Sequence, residues 1–123
     1  MIIGIGIDIA VSSRFLEWTE FKKSRIFTKK EMAYAAEDNC HEEKHLAKSW
    51  AAREAFVKAI GTGFDKGVSY TDVSVLHDEL GAPELLIAGE AKKILAAKSK
   101  DAKVHVSLSD DGEYCVAMVI IEG

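Results

Sequence analysis

The stretch from Glu42 to Gly61 limits the possible folds more than any other part of the chain. Ala47, Ala51, Ala55 and Ala59 recur every four residues, which places their methyl groups in one stripe along a helix. So thin a stripe lets a helix lie close to a flat neighbour, and the flat neighbour of a protein interior is a sheet. Gly61 follows Ile60 where a left-handed residue ends a helix. The pattern predicts a helix from about Glu42 to Ile60. A strand comes first in the chain. In residues 2–9, Ile3, Ile5, Ile7 and Ile9 alternate with Gly4, Gly6 and Asp8, the period of an extended strand. The glycine face is nearly bare of side chains, so something can approach the Asp8 carboxylate, unless Asp8 serves only as a strand-end cap for the next helix.

The remaining segments complete an α+β pattern. Ser12 or Ser13 is positioned to cap a helix carrying Phe15, Leu16, Trp18 and Phe21. Thr28 and Glu31 form a capping box for a short helix through Met32 and Tyr34. Residues 72–77 and 85–87 read as strands joined by Glu79-Leu80-Gly81-Ala82-Pro83, and residues 89–98 as a short helix. Val104, Val106 and Leu108 alternate with His105, Ser107 and Ser109. Asp110-Asp111-Gly112-Glu113 then reads as a hairpin turn into a last strand, Tyr114–Ile121. The predicted order is β-α-α-α-β-β-α-β-β. Hairpins in place of repeated crossovers imply a largely antiparallel sheet packed against the long helix. At 123 residues, residues 1–123 are expected to form one domain.

Composition excludes several classes. No apolar run approaches the ~18 residues of a membrane span. The opening MIIGIGID reaches Asp8 before a signal-peptide core could form, so a cytoplasmic protein is expected. Cys40 and Cys115 make neither a disulfide framework nor a metal cage. A net charge of −4 argues against nonspecific nucleic-acid binding. The charge is unevenly spread. Arg14, Lys22, Lys23, Arg25, Lys29 and Lys30 face only Glu17 and Glu20 between Ser12 and Lys30, whereas residues 31–43 hold five acids and no base. A basic segment on an acidic chain suits either an anionic partner or a solvated helix face.

The chemistry concentrates in Trp50-Ala-Ala-Arg-Glu54-Ala-Phe-Val-Lys58-Ala-Ile-Gly61-Thr62-Gly63. Glu54 and Lys58 lie one turn apart on one helix face, a spacing that equally suits a surface ion pair. Gly61, Thr62 and Gly63 offer flexible backbone N–H groups and a hydroxyl to phosphate, or simply a cap and turn. They follow a helix, so they are not a P-loop. The dipole of a helix C-terminus repels anions, so a phosphate there needs Lys58 or a metal to offset it. Asp8, Glu54 and Lys58 together suit Mg²⁺-dependent phosphoryl chemistry, since Mg²⁺ takes one or two carboxylates, waters and phosphate oxygens.

These motifs occur in a familiar order. Gly4-Ile-Gly-Ile-Asp8-Ile, Arg14-Phe15, Phe27-Thr28-x-x-Glu31, the Trp50–Gly63 block, Gly81-Ala-Pro83 and Val106-Ser-Leu-Ser109 together resemble the short 4′-phosphopantetheinyl transferases, the holo-[acyl-carrier-protein] synthases. The resemblance spans essentially the whole chain. It implies transfer of 4′-phosphopantetheine from coenzyme A to a serine of apo acyl carrier protein, releasing adenosine 3′,5′-bisphosphate and supporting fatty acid biosynthesis. It implies Mg²⁺ between Asp8, Glu54 and the pyrophosphate. Lys58 would act on phosphate or on the serine proton, and Lys58, Gly61, Thr62, Gly63 and Pro83 would contact coenzyme A. It also implies a homotrimer, and an acidic carrier protein docked on Arg14, Lys22 and Arg25. The chain departs from the family at two places. Asp110 follows Ser109 where the family usually has His, and Ser49 stands where it often has Arg, with Lys48 one residue earlier. Both changes remove positive charge. A non-catalytic module of the same fold, binding carrier protein or nucleotide, is the competing reading.

Overall fold

The computed structural model describes residues 1–123. Strand β1 (Ile2–Val11) leads through a 3₁₀ turn (Ser12–Glu17) to helices α1 (Glu20–Ile26), α2 (Lys29–Ala36) and α3 (Glu42–Ile60). A second 3₁₀ turn (Tyr70–Asp72) precedes β2 (Val73–His77) and β3 (Pro83–Ile87). Helix α4 (Gly89–Lys98) and the hairpin β4 (Lys103–Asp111) and β5 (Tyr114–Glu122) complete the chain. The strands form two antiparallel sheets, β1-β5-β4 and β2-β3. No helix is long and apolar enough to cross a membrane.

Helix α3 is the axis of the core. Ala47, Ala51, Ala55 and Ala59 are all buried, and the three-stranded sheet closes over them. The inner face of that sheet pairs Gly4 with Ile121, Gly6 with Val119, Asp8 with Ala117 and Ala10 with Cys115. The glycines are necessary here. A Cβ on Gly4 would run into the carbonyl oxygen of Ala59, and one on Gly6 into that of Ala55. The bare face of β1 is therefore filled by the backbone of α3. The opposite face turns outward, with Ile5, Ile7 and Ile9 each more than half exposed.

At the end of α3, Gly61 adopts φ 81°. Its N–H donates to the carbonyl of Lys58 and that of Thr62 to Val57, a Schellman closure. The capping box is also formed. Thr28 Oγ1 accepts from Glu31 N, and Glu31 Oε1 accepts from Thr28 N at 2.9 Å.

Two local expectations are corrected. The helix starting at Ser12 or Ser13 is two elements, because Trp18 is extended (ψ 133°). This turns its indole between Phe15 and Trp50, with ring centroids 4.6 and 5.7 Å away. Thr19 then caps α1 by accepting from Lys22 N at 3.1 Å. Asp110 and Asp111 continue β4, pairing with Cys115 and Tyr114. Only Gly112 and Glu113 lie between the strands, since a glycine with φ 60° permits the tighter two-residue turn.

Candidate active site

Asp8 sits on the inner face of edge strand β1, where α3 passes closest, and α3 supplies Glu54 and Lys58 from successive turns. The ammonium of Lys58 donates to Asp8 Oδ1 at 3.1 Å and to the Ile7 carbonyl at 2.9 Å. The i,i+4 pair that Lys58 could have made with Glu54 gives way to this contact across to the strand. The Asp8 side chain is 18% exposed and that of Lys58 54%, so the pair closes the rim of the site. Burial on the helix face pushes the Glu54 carboxyl above its ordinary range. The nearby Asp8 charge adds to this, while Lys58 and Arg14 pull the other way. The Asp8 charge thus reaches the Glu54 carboxyl, with the Lys58 cation acting on both.

No cluster of three His, Cys, Asp or Glu exists anywhere in the chain. Two carboxylates without an imidazole or thiolate are a poor zinc set. They fit a hard cation that keeps its waters and binds substrate phosphate oxygens. The mouth of the site is a depression of about 410 Å³ lined by Ile7, Asp8, Ile9, Lys58 and Val116. Apolar side chains of the outward sheet face therefore border the charged groups.

The other predicted residues lie around this centre in distinct places. Gly61, Thr62 and Gly63 extend directly from the end of α3, and the Thr62 hydroxyl donates to the Gly63 carbonyl at 2.8 Å. Pro83 begins β3 and lines a different cavity, beside Tyr34, His45, Lys48, Ser49 and His77. Asp110 forms an ion pair with Lys48, and this hydrogen bond holds its carboxyl below the usual range. His105 is exposed and meets Glu122 at 3.1 Å, and it shares a separate surface depression with Pro83.

Arg14, Lys22 and Arg25 are all exposed. The Arg14 guanidinium lies 4.9 Å from the centre of the Trp50 ring, and the Lys22 ammonium 4.2 Å from that of Trp18. Exposed Leu16 and Phe21 stand among them. Lys23 is spoken for internally, pairing with Glu20 and Glu42 at 3.3 and 3.4 Å.

Sequence reasoning passed over Arg53, which is fully buried. It forms a two-pronged ion pair with Glu31 and donates to the carbonyls of Ser49 and Tyr70. Glu31 Oε2 also accepts from Val75 N at 3.0 Å. One carboxylate thus ties α2, α3 and β2 behind Glu54. The signal was present, since an arginine at 53 extends the buried face defined by Ser49 and Phe56. The capping box had already supplied a reason for Glu31.

A long alanine-faced helix packs on an antiparallel sheet, with the Asp8–Lys58 pair and Glu54 near where they meet. The family model of the 4′-phosphopantetheinyl transferase superfamily matches residues 4–119, and the chain belongs to that family. Relatives named holo-[acyl-carrier-protein] synthase span it almost end to end. That of Geobacter metallireducens is 41% identical, covering 99% of this chain and 98% of its own. That of Geobacter sulfurreducens is 43% identical over the same shares. The crystal structure of the Neisseria meningitidis enzyme superposes with a TM-score of 0.85 at 33% identity over all of both chains. That of Bacillus anthracis, in complex with CoA (3′,5′-ADP), reaches 0.80 at 34% identity over 98% and 96%. Among the superfamily's members, this chain is an enzyme of the holo-[acyl-carrier-protein] synthase kind.

Proposed function

We propose that the protein transfers 4′-phosphopantetheine from coenzyme A to a serine of an apo acyl carrier protein, with Mg²⁺, releasing adenosine 3′,5′-bisphosphate. The observation that carries this reading is the contact of Lys58 on a helix with Asp8 on a strand fifty residues away, with Glu54 near enough to feel the charges of both. Asp8 and Glu54 would hold the metal, which supplies charge neutralisation at the pyrophosphate. The serine oxygen forms a bond to the phosphorus bearing pantetheine, and the bond from that phosphorus to the adenosine bisphosphate oxygen breaks. Lys58 already donates two hydrogen bonds, which suits an ammonium that holds a phosphate oxygen. The Gly61 and Thr62 N–H groups close the helix, so this turn would meet phosphate oxygens through the Gly63 N–H and by exchange of the Thr62 hydroxyl bond, and Pro83 would contact the nucleotide end.

The acidic carrier protein would dock on Arg14, Lys22 and Arg25, with Leu16 and Phe21 as apolar contacts between the charges. The outward sheet face, Ile5, Ile7, Ile9, Val116, Met118 and Ile120, is the surface for assembly into a homotrimer. It borders the Asp8 depression, so a second copy seated there would form one wall of the site. A role in fatty acid biosynthesis and a cytoplasmic location follow from such a substrate.

Mass spectrometry of apo carrier protein incubated with coenzyme A, with and without Mg²⁺, tests the reading. One added phosphopantetheine that requires Mg²⁺ is expected. An unmodified carrier protein under all conditions would favour the non-catalytic binding module.

A further inference from the structure

Behind the hairpin β2-β3 lies a cavity of about 180 Å³, and its polar lining comes from Tyr34, His45, Lys48, Ser49 and His77. These are cations, imidazoles and hydroxyls, and no carboxylate lines the cavity. The carboxylates stand outside it and bind the bases from behind. Asp38 meets His45 at 3.1 Å, and Asp110 pairs with Lys48. His77 stacks on Tyr34 at a centroid distance of 3.8 Å. Its burial, with the charges of His45 and Lys48 nearby, holds it below the ordinary histidine range. The Lys48 ammonium brings a permanent cation to the lining. Both partners of its ion pair are partly exposed, Lys48 at 24% and Asp110 at 32%.

We propose that Asp110 is a specificity-determining residue, an internal counter-ion that holds Lys48 and with which a phosphomonoester dianion entering the cavity must share it. The inference rests on coenzyme A being the donor. Coenzyme A carries a phosphomonoester on its ribose in addition to the pyrophosphate consumed at Asp8. Pro83, assigned to coenzyme A by the family resemblance, lines this same cavity. An ammonium shared between a carboxylate and a phosphate brings two anions close together. Their repulsion is set against the new contact. Affinity for the phosphomonoester is thereby lowered, while a ligand lacking that group is unaffected. Asp110 therefore acts through Lys48 rather than by facing the nucleotide, as its place in the sequence suggested.

The test is calorimetric titration of coenzyme A and of dephospho-coenzyme A, which lacks the ribose phosphomonoester. The proteins are the wild type, Asp110→Asn, Lys48→Met and the double variant. Asp110→Asn is expected to tighten coenzyme A by about three- to tenfold, the scale of a partly exposed charge pair, and to leave dephospho-coenzyme A unchanged. Lys48→Met should abolish the preference between the two ligands. On that background, Asp110→Asn should change nothing. Asp110→Ser provides a second variant if the amide forms a new contact. An equal gain for both ligands, no gain, or a gain that persists without Lys48 would overturn the proposal. Wild-type protein that binds neither ligand would instead overturn the donor reading.

Discussion

Glu54 shows how a site residue departs from what stability alone would choose. Its carboxyl is raised, first by burial and then by Asp8. The folded protein thus holds the Glu54 proton more tightly than the unfolded chain does. The ionised form costs stability, fully at pH above the folded value and not at all below the unfolded value of about 4.3. Glu54→Gln is therefore expected to raise the melting temperature of the metal-free protein by a few degrees at pH 7.5. That gain should vanish near pH 4, while transfer activity is lost. Thermal melts at the two pH values check it. Mg²⁺ should stabilise the wild type by mass action and leave Glu54→Gln unmoved. Lys58 presents the complementary case. Its ion pair with Asp8 is half open to water, and such pairs contribute about 0–1 kcal/mol. Lys58→Ala should cut turnover at least tenfold while the melting temperature moves by a degree or two. A parallel fall of both would make the pair structural.

At the level of elements, the contact between β1 and α3 sets the geometry of the site. Glycines on the strand and alanines on the helix let two backbones meet, and this carries the Asp8 carboxylate to Glu54. Gly6→Ala forces a methyl into the Ala55 carbonyl. It should destabilise by at least the ~1–3 kcal/mol typical of an overpacked interior, measured by urea unfolding. Both stripes were legible in the sequence because each follows the period of its element. The break at Trp18 was not, because the aromatic packing that extends it comes from Trp50 on another helix. Helix α1 makes a separate prediction. Its exposed charges interact over a Debye length of about 8 Å at physiological salt. Reversing Lys22 or Arg25 to Glu should raise the KM for carrier protein and leave that for coenzyme A unchanged. Added salt should weaken wild-type docking in the same direction. Lys23→Glu should act mainly on stability, since Lys23 serves Glu20 and Glu42.

For the whole molecule, the outer face of the three-stranded sheet is the feature that a single copy leaves unfinished. Ile5 lies opposite Ile120, Ile7 opposite Met118 and Ile9 opposite Val116, a continuous apolar surface of the kind that soluble monomers rarely keep. Ile7→Lys places a charge at its centre. Light scattering coupled to size-exclusion chromatography should then show monomer in place of the trimer proposed for the wild type. Activity should fall with it, because Ile7 and Val116 line the Asp8 depression.

What the sequence determined by itself was local or periodic. It specified the capping box at Thr28 and Glu31, the helix stop at Gly61, the alanine stripe, the strand alternation and the motif order that carries the family resemblance. These depend on neighbours within one turn or one pleat, so a linear reading captures them. Tertiary structure decided which partners the charged groups take. Lys58 chooses Asp8 over Glu54, Arg53 is buried on Glu31, and Lys48 holds Asp110. Each choice joins residues that lie on different elements. The energy of a charge depends on what surrounds it in space, and spacing along the chain carries no record of that.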